Sequence, residues 1–304
     1  MKRIVQILIV VIITAAVVAI VYPQQPKLAL SFQVNTTSAT TLEYLANQHL
    51  WNQWWPKQTP ANRFLNQPLQ VQAAHLPMAV LQTTFKNTPL QWQVQLFNKW
   101  VDTTILQLFI TPQKPIWGWE KIQFYWYNKT IQLEAAKIFT ALASYIGNEQ
   151  NMYGFTVQMG KMTDTVLVSN TRFYNEWPTA QNIGEQVTTL RNYLSSIGAK
   201  ESNYPMLNVV KVDGKYKCKI ALPTDTVPIP PTGIEIKNMV LGGTLRATVK
   251  GGNYTLQNAM KKYNQYLVDK GLTSPAIPYE SMVTDRWKEP DTSKWITILY
   301  YPIM

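Results

Sequence analysis

Tyr193-Leu194-Ser195-Ser196-Ile197-Gly198 returns 73 residues later as Tyr266-Leu267-Val268-Asp269-Lys270-Gly271, keeping the tyrosine, the leucine and the glycine. Seven residues beyond each glycine stands a proline, Pro205 and then Pro278, at the same offset. Agreement over this distance marks an internal duplication. Each copy closes a predicted helix. Ile183, Val187, Leu190, Leu194 and Ile197 recur every three or four residues in the first, and Leu256, Met260, Tyr263 and Leu267 do so in the second. Gly198 and Gly271 suit left-handed C-caps.

Strands are expected on either side of both helices: Thr163–Arg172, Met206–Lys211 and Lys215–Leu222 around the first, Met239–Lys250, Glu280–Thr284 and Lys294–Tyr301 around the second. Tyr216, Cys218, Ile220 and Leu222 alternate with Lys215, Lys217 and Lys219, so Cys218 reads as a small buried hydrophobe. Val212-Asp213-Gly214 supplies a hairpin turn. Two strand-helix-strand-strand units are thus written in tandem, joined by a linker containing Pro223, Pro228, Pro230 and Pro231.

Thr248-Val249-Lys250-Gly251-Gly252-Asn253-Tyr254, then Ala259, Tyr263, Leu267, Gly271-Leu272, Pro278-Tyr279-Glu280 and finally Trp295 to Pro302-Ile303 resemble the gyrase-inhibitory-protein-like effector-binding domain. That domain also forms the ligand-sensing half of AraC- and MerR-type regulators, and the resemblance covers residues 152–304. It implies a cleft between the two halves that takes hydrophobic, cationic or amphiphilic small molecules. By position, Glu280 matches the family's acidic ligand contact and Tyr254 its turn tyrosine, with Trp287, Trp295 and Tyr300 as expected walls. A carboxylate among ring faces suits an organic cation, each ring adding roughly 0.5–2 kcal/mol. The duplication adds its own pointer: the counterpart of Glu280 in the first half is Leu207, an acidic position against an apolar one. The alternatives for the two are a solvated strand-edge carboxylate at Glu280 and simple turn packing at Tyr254. Family members that carry Thr-Glu in the last strand are matched here by Thr297-Ile298, which weakens a hydrolase reading.

Ahead of this region, Leu28–Asn35 reads as a strand, Thr40–Ala46 as a helix, and Leu90–Leu96, Thr104–Ile110 and Ile122–Tyr127 as strands, closed by a helix over Thr130–Tyr145. Eight of the eleven tryptophans lie here, from Trp51 to Trp126. Packed core is the favoured reading of that cluster and a lined cavity the alternative. The element order, with Trp51-Asn52-Gln53-Trp54-Trp55-Pro56 after the first helix, resembles the helix-grip fold of polyketide cyclases and START-type lipid-binding proteins over residues 28–148.

Ile4–Tyr22 is uncharged, follows Lys2-Arg3, and as a helix would measure roughly 28 Å, about the hydrocarbon thickness of a bilayer. A retained membrane anchor with the N-terminus inside is the first reading, and a cleaved signal peptide the second. Both place the remainder outside the cytoplasm. Three parts follow: an anchor and spacer (1–27), a helix-grip-like antiparallel domain (28–148) and the duplicated domain (152–304), all in an α+β class.

With 46% hydrophobic and 15% charged residues in 304, wholesale disorder is excluded. One cysteine excludes an internal disulfide or cysteine zinc site; with only His49 and His75 besides, no metal or cofactor is expected. No Ser–His–Asp set or phosphate loop is written in the chain. The net charge is +11; residues 1–148 hold 11 Lys/Arg against 4 Asp/Glu, and residues 149–304 hold 17 against 13. Without a helix-turn-helix ahead of the sensor-like part, this charge reads as a solubilising or lipid-facing surface, with no nucleic-acid partner. The expected function is an exported, membrane-anchored binding protein that captures an amphiphilic or cationic small molecule. The alternatives are a hydrolase using Glu280 and Tyr254, or an interaction protein with closed clefts.

Overall fold

The computed structural model describes every residue except 1, 58, 59, 165, 228, 240 and 304, and leaves out the side chains at 2, 3, 8, 15, 16, 19 and 20 as well. Pro228 of the expected linker therefore lies outside the described residues. The chain divides into two compact units, Met1–Asn148 and Glu149–Met304.

The first unit opens with helix α1 (Lys2–Val21). Among the described residues no helix is long and apolar enough to cross a membrane. The expected membrane-crossing helix is thus not found among the described residues. Strand β1 (Leu28–Val34), α2 (Ser38–Ala46) and α3 (Trp51–Trp54) follow. A small hairpin of β2 (Arg63–Phe64) and β3 (Gln67–Pro68) leads into β4 (Gln70–His75), β5 (Met78–Phe85), β6 (Thr88–Trp100) and β7 (Thr103–Pro112). The main sheet is antiparallel in the order β1-β7-β6-β5-β4. Along β6 the expected alternation holds, with Leu90, Trp92, Val94 and Leu96 buried.

The long helix α4 (Gly118–Ile146) closes the unit and covers the sheet through Phe139, whose ring stacks on Phe32 at 5.6 Å. It also corrects one expectation: Ile122–Tyr127 is helical. That aromatic-rich run fits a strand when read alone, yet Phe124, Ile131, Ala135, Ile138 and Leu142 bury one continuous helical face through it. The tryptophans divide. Trp51, Trp54, Trp55 and Trp92 are buried, with Trp51 Nε1 donating to Leu45 O at 2.9 Å, whereas Trp100, Trp117, Trp119 and Trp126 are 62–75% exposed. The expected tryptophan core is therefore only half of the cluster.

The second unit contains α5 (Glu149–Tyr153), β8 (Gln158–Lys161), β9 (Val166–Tyr174), α6 (Ala180–Ser196), β10 (Met206–Val212), β11 (Lys215–Thr224), β12 (Glu235–Asn238), β13 (Gly243–Lys250), α7 (Asn253–Lys270), β14 (Tyr279–Met282) and β15 (Ile296–Ile303). Its eight strands run in the order β12-β9-β11-β10-β14-β15-β13-β8. Removing the outermost strand at each edge leaves β9-β11-β10 facing β14-β15-β13. These are two copies of one strand-helix-strand-strand unit, joined where β10 meets β14. There Leu207 pairs directly with Glu280, its own counterpart at offset 73, so the local twofold axis passes through that pair.

Residues paired across antiparallel strands share a face. Leu207, Ile220, Glu280, Leu299 and Thr297 accordingly face the helices, while Met206, Ala221, Tyr279 and Tyr300 face the other way. Thr179 caps α6 by accepting from Asn182 N at 3.2 Å, and Gly271 ends α7 at φ 61° as a left-handed cap. Pro223, placed in the linker by sequence, belongs to β11. It stands opposite Leu167 of β9, beyond the last β10 partner of that strand, where the missing N–H costs no ladder bond.

Cys218 is buried against Gln186, whose Nε2 donates to its sulfur at 3.4 Å, and burial raises the thiol to about 11. A thiol-specific disulfide reagent at pH 8 is expected to leave Cys218 unmodified in the folded chain and to label it stoichiometrically in denaturant. Prompt labelling without denaturant would contradict the packing described.

Candidate binding site

Glu280 lies on the axis strand β14, between Leu207 on β10 and Leu299 on β15, under the helices. Its surroundings are apolar: Met282, Leu207 and Ile220 belong to the core that also buries Val187, Leu190 and Leu194 of α6. A carboxylate there loses its hydration and has to be answered by a cation or by several donors.

The answering group is Arg286, from the segment linking β14 to β15. Its Nη2 donates to Glu280 Oε2 and to Thr297 Oγ1, the latter at 2.9 Å, and both side chains of the ion pair are almost wholly buried. The guanidinium carbon stands 5.3 Å from the centre of the Trp295 ring. Arg286 Nε is buried with no hydrogen-bond partner, so the pair is held on one edge of the guanidinium only.

Local structure fixes the arginine. Trp295 Nε1 donates to Glu289 O at 2.8 Å, and Val283 N donates to Ile296 O at 3.1 Å, closing the segment into a loop. The neighbouring Trp287 packs against α6 at Gly184, where an added Cβ would come within 2.5 Å of the indole. Glycine is required there for contact, not for backbone freedom. Arg191 of α6 fastens the loop from outside, binding Glu201 through Nε at 2.7 Å and reaching Asp285 at 3.6 Å.

Beside α7 a hollow of about 40 Å³ touches Glu280, lined also by Trp177, Leu207, Val209, Leu256 and Met260. It admits water but not a drug-sized guest, which needs roughly 300–1,000 Å³. A roomier cleft of about 540 Å³ lies elsewhere in the same unit, beside Tyr153, Phe155 and Asn258. Its charged lining is Arg246 and Lys250, the wrong sign for a cation.

The five residues expected at the site therefore separate. Glu280 and Trp295 meet around Arg286, and Trp287 packs on the adjoining core. Tyr254, at the start of α7, is 86% exposed and does not line the hollow at Glu280. Tyr300 lies on the opposite face of the sheet, stacked on Tyr279 at 5.0 Å. The residue that sequence reasoning missed is Arg286. Its signal was faint: an arginine six residues after a carboxylate, in a segment with no periodicity.

No protein-family model matches the chain, and no curated protein matches it. Among solved structures it is similar to EcmrR in a complex with DNA, at 14% identity over 60% of this chain and 70% of that one, TM-score 0.45. The EcmrR C-terminal domain alone is 13% identical over 49% of this chain and 98% of that one, TM-score 0.39. SAV2435 bound to tetraphenylphosphonium is 14% identical over 49% and 94%, TM-score 0.33. At these scores the likenesses carry no argument about function, and the START-type resemblance of residues 28–148 is not shown by them.

Breaking a buried pair from one side strands the other charge. Arg286→Met is expected to lower the unfolding free energy by about 3–5 kcal/mol, and the double variant Glu280→Gln/Arg286→Met by much less. Urea unfolding of the wild type and the two variants checks this; a double variant destabilised as much as Arg286→Met or more would contradict it.

Proposed function

We propose that the C-terminal unit is a non-enzymatic small-molecule-binding module whose cation-accepting position is filled by its own Arg286. One observation carries this reading: the carboxylate and ring face that would hold an organic cation, Glu280 and Trp295, hold the guanidinium. An amphiphilic cation entering the hollow would meet a neutral pair, not a bare anion, and so would gain little by attraction alone. Capture requires Arg286 to yield its place. Trp177, which lines the hollow with its ring edge-on to Tyr216 at 5.5 Å, would have to move as well.

The hydrolase reading finds no support in this arrangement, because Tyr254 stands apart from Glu280. The closed-cleft interaction reading draws on the same small hollow and is separated by experiment. We propose export and anchoring at a membrane as well, on the apolar sequence of residues 4–22. Fractionation of the full chain between membrane and soluble pools reads them out.

Titration with tetraphenylphosphonium and a cationic dye is expected to show no saturable binding to the wild-type chain. Arg286→Ala should gain saturable binding, and Glu280→Gln/Arg286→Ala should lose it again. Circular dichroism of each variant secures the comparison. Tight binding by the wild type would replace this reading with open capture. Absence of binding in every variant would replace it with the interaction reading.

A further inference from the structure

The exposed tryptophans of the first unit are not scattered. Trp119 and Trp126 are seven residues apart on α4, and Leu133, also exposed, continues the row. A seven-residue spacing keeps all three on one side of a helix, over about 21 Å of its length. Trp117 precedes them at the helix start, and Tyr125 flanks the row with its ring half exposed. Exposed aromatic rows of this size are uncommon on monomeric proteins and mark contact surfaces.

The row begins where the chain leaves α1. Gln24 and Ile116 bond each other both ways through the backbone, at 3.0 and 2.8 Å, one residue before Trp117. Tyr125 OH reaches Gln24 Oε1 at 3.5 Å, and Lys121 Nζ reaches Tyr22 O at 3.4 Å. Tyr22 is itself exposed. The described isoleucines and valines of α1 are 49–68% exposed, so the apolar helix and the aromatic row are two unburied surfaces that meet at one place.

The residue types point to one occupant. Trp and Tyr have an apolar body and a polar tip and concentrate at the headgroup level of bilayers. Aromatic rings also anchor protein interfaces, but lysine is depleted there. Lys114 and Lys129 stand exposed beside the row, in a unit with 11 cationic and 4 anionic residues, which suits anionic headgroups. We propose that the N-terminal half of α4, with Trp117, Trp119 and Trp126, is a seat for the interfacial layer of a lipid bilayer. It holds the first unit down on the membrane surface beside α1. The seat does not depend on whether residues 4–22 span the bilayer, nor on the reading of Glu280.

Trp100 supplies an internal control. It is equally exposed but stands opposite Thr103, at the far end of β7 from Pro112, whose carbonyl accepts from Gln25 Nε2 at 2.8 Å. Nine residues of strand separate the two ends, about 30 Å.

The test uses the full chain with phosphatidylcholine vesicles, with and without phosphatidylglycerol, containing lipids brominated near the headgroup. Tryptophan quenching and co-sedimentation are read together. Wild type is expected to bind, more tightly with phosphatidylglycerol, and to be quenched. Trp117→Ser/Trp119→Ser/Trp126→Ser should lose at least half of the quenching and bind roughly tenfold more weakly, while Trp100→Ser should match wild type. The proposal is overturned by wild type failing to bind, or by the triple variant binding and quenching as wild type does. Self-association without vesicles that hides these rings from a soluble quencher overturns it too, because a second copy would then be the occupant.

Discussion

A carboxylate set into the apolar, helix-covered face of a sheet cannot remain alone, and Glu280 occupies that position on the axis of the duplicated unit. The loop between β14 and β15 exists in its observed form because it must deliver Arg286 to that carboxylate. The same loop carries Trp287 onto Gly184 and Asp285 towards Arg191, so the ion pair and the seating of α6 are one construction. Loss of the pair would loosen the seating of α6, and crowding at Gly184 would disturb the arginine. Buried ion pairs are poor sources of net stability but costly to break from one side. The role assigned to this one is therefore specificity of closure.

Closure has a functional side. In the proposed reading, the hollow beside α7 with its one carboxylate is a trap for an organic cation, shut twice, by charge through Arg286 and by volume through Trp177, Leu256 and Met260. What remains touches Glu280 but offers about 40 Å³. The cost of opening is the cost of moving a guanidinium off its partner. A ligand able to meet it would shift the population of open molecules by its differential affinity for them.

The duplication was legible to the residue. The offset that joins Tyr193 to Tyr266 also joins Leu207 to Glu280, and these two prove to be register partners on the axis. Helix stripes and the alternation of β6 and β11 were equally readable, since burial of one face imposes a period on the sequence. Arg286 was not readable, because its partner is met through a loop whose path depends on Trp295 and Glu289 after folding. Tyr254 and Tyr300 were carried to the site by resemblance and fall elsewhere: one is at an exposed helix start, the other on the reverse of the sheet. Ile122–Tyr127 misled for a related reason. Five aromatic and β-branched residues in six suit a strand locally, and only the longer stripe through Leu142 makes them helical. The tryptophans were over-assigned to the core because sequence shows a ring's size, not which side of the helix it takes.

The most direct measurement is a crystal structure of the full chain grown with and without a lipophilic cation. The account predicts the guanidinium of Arg286 on Glu280 in the cation-free crystal, and the arginine displaced wherever a cation is found against that carboxylate. A cation seated in the hollow with the Arg286–Glu280 pair intact would contradict it.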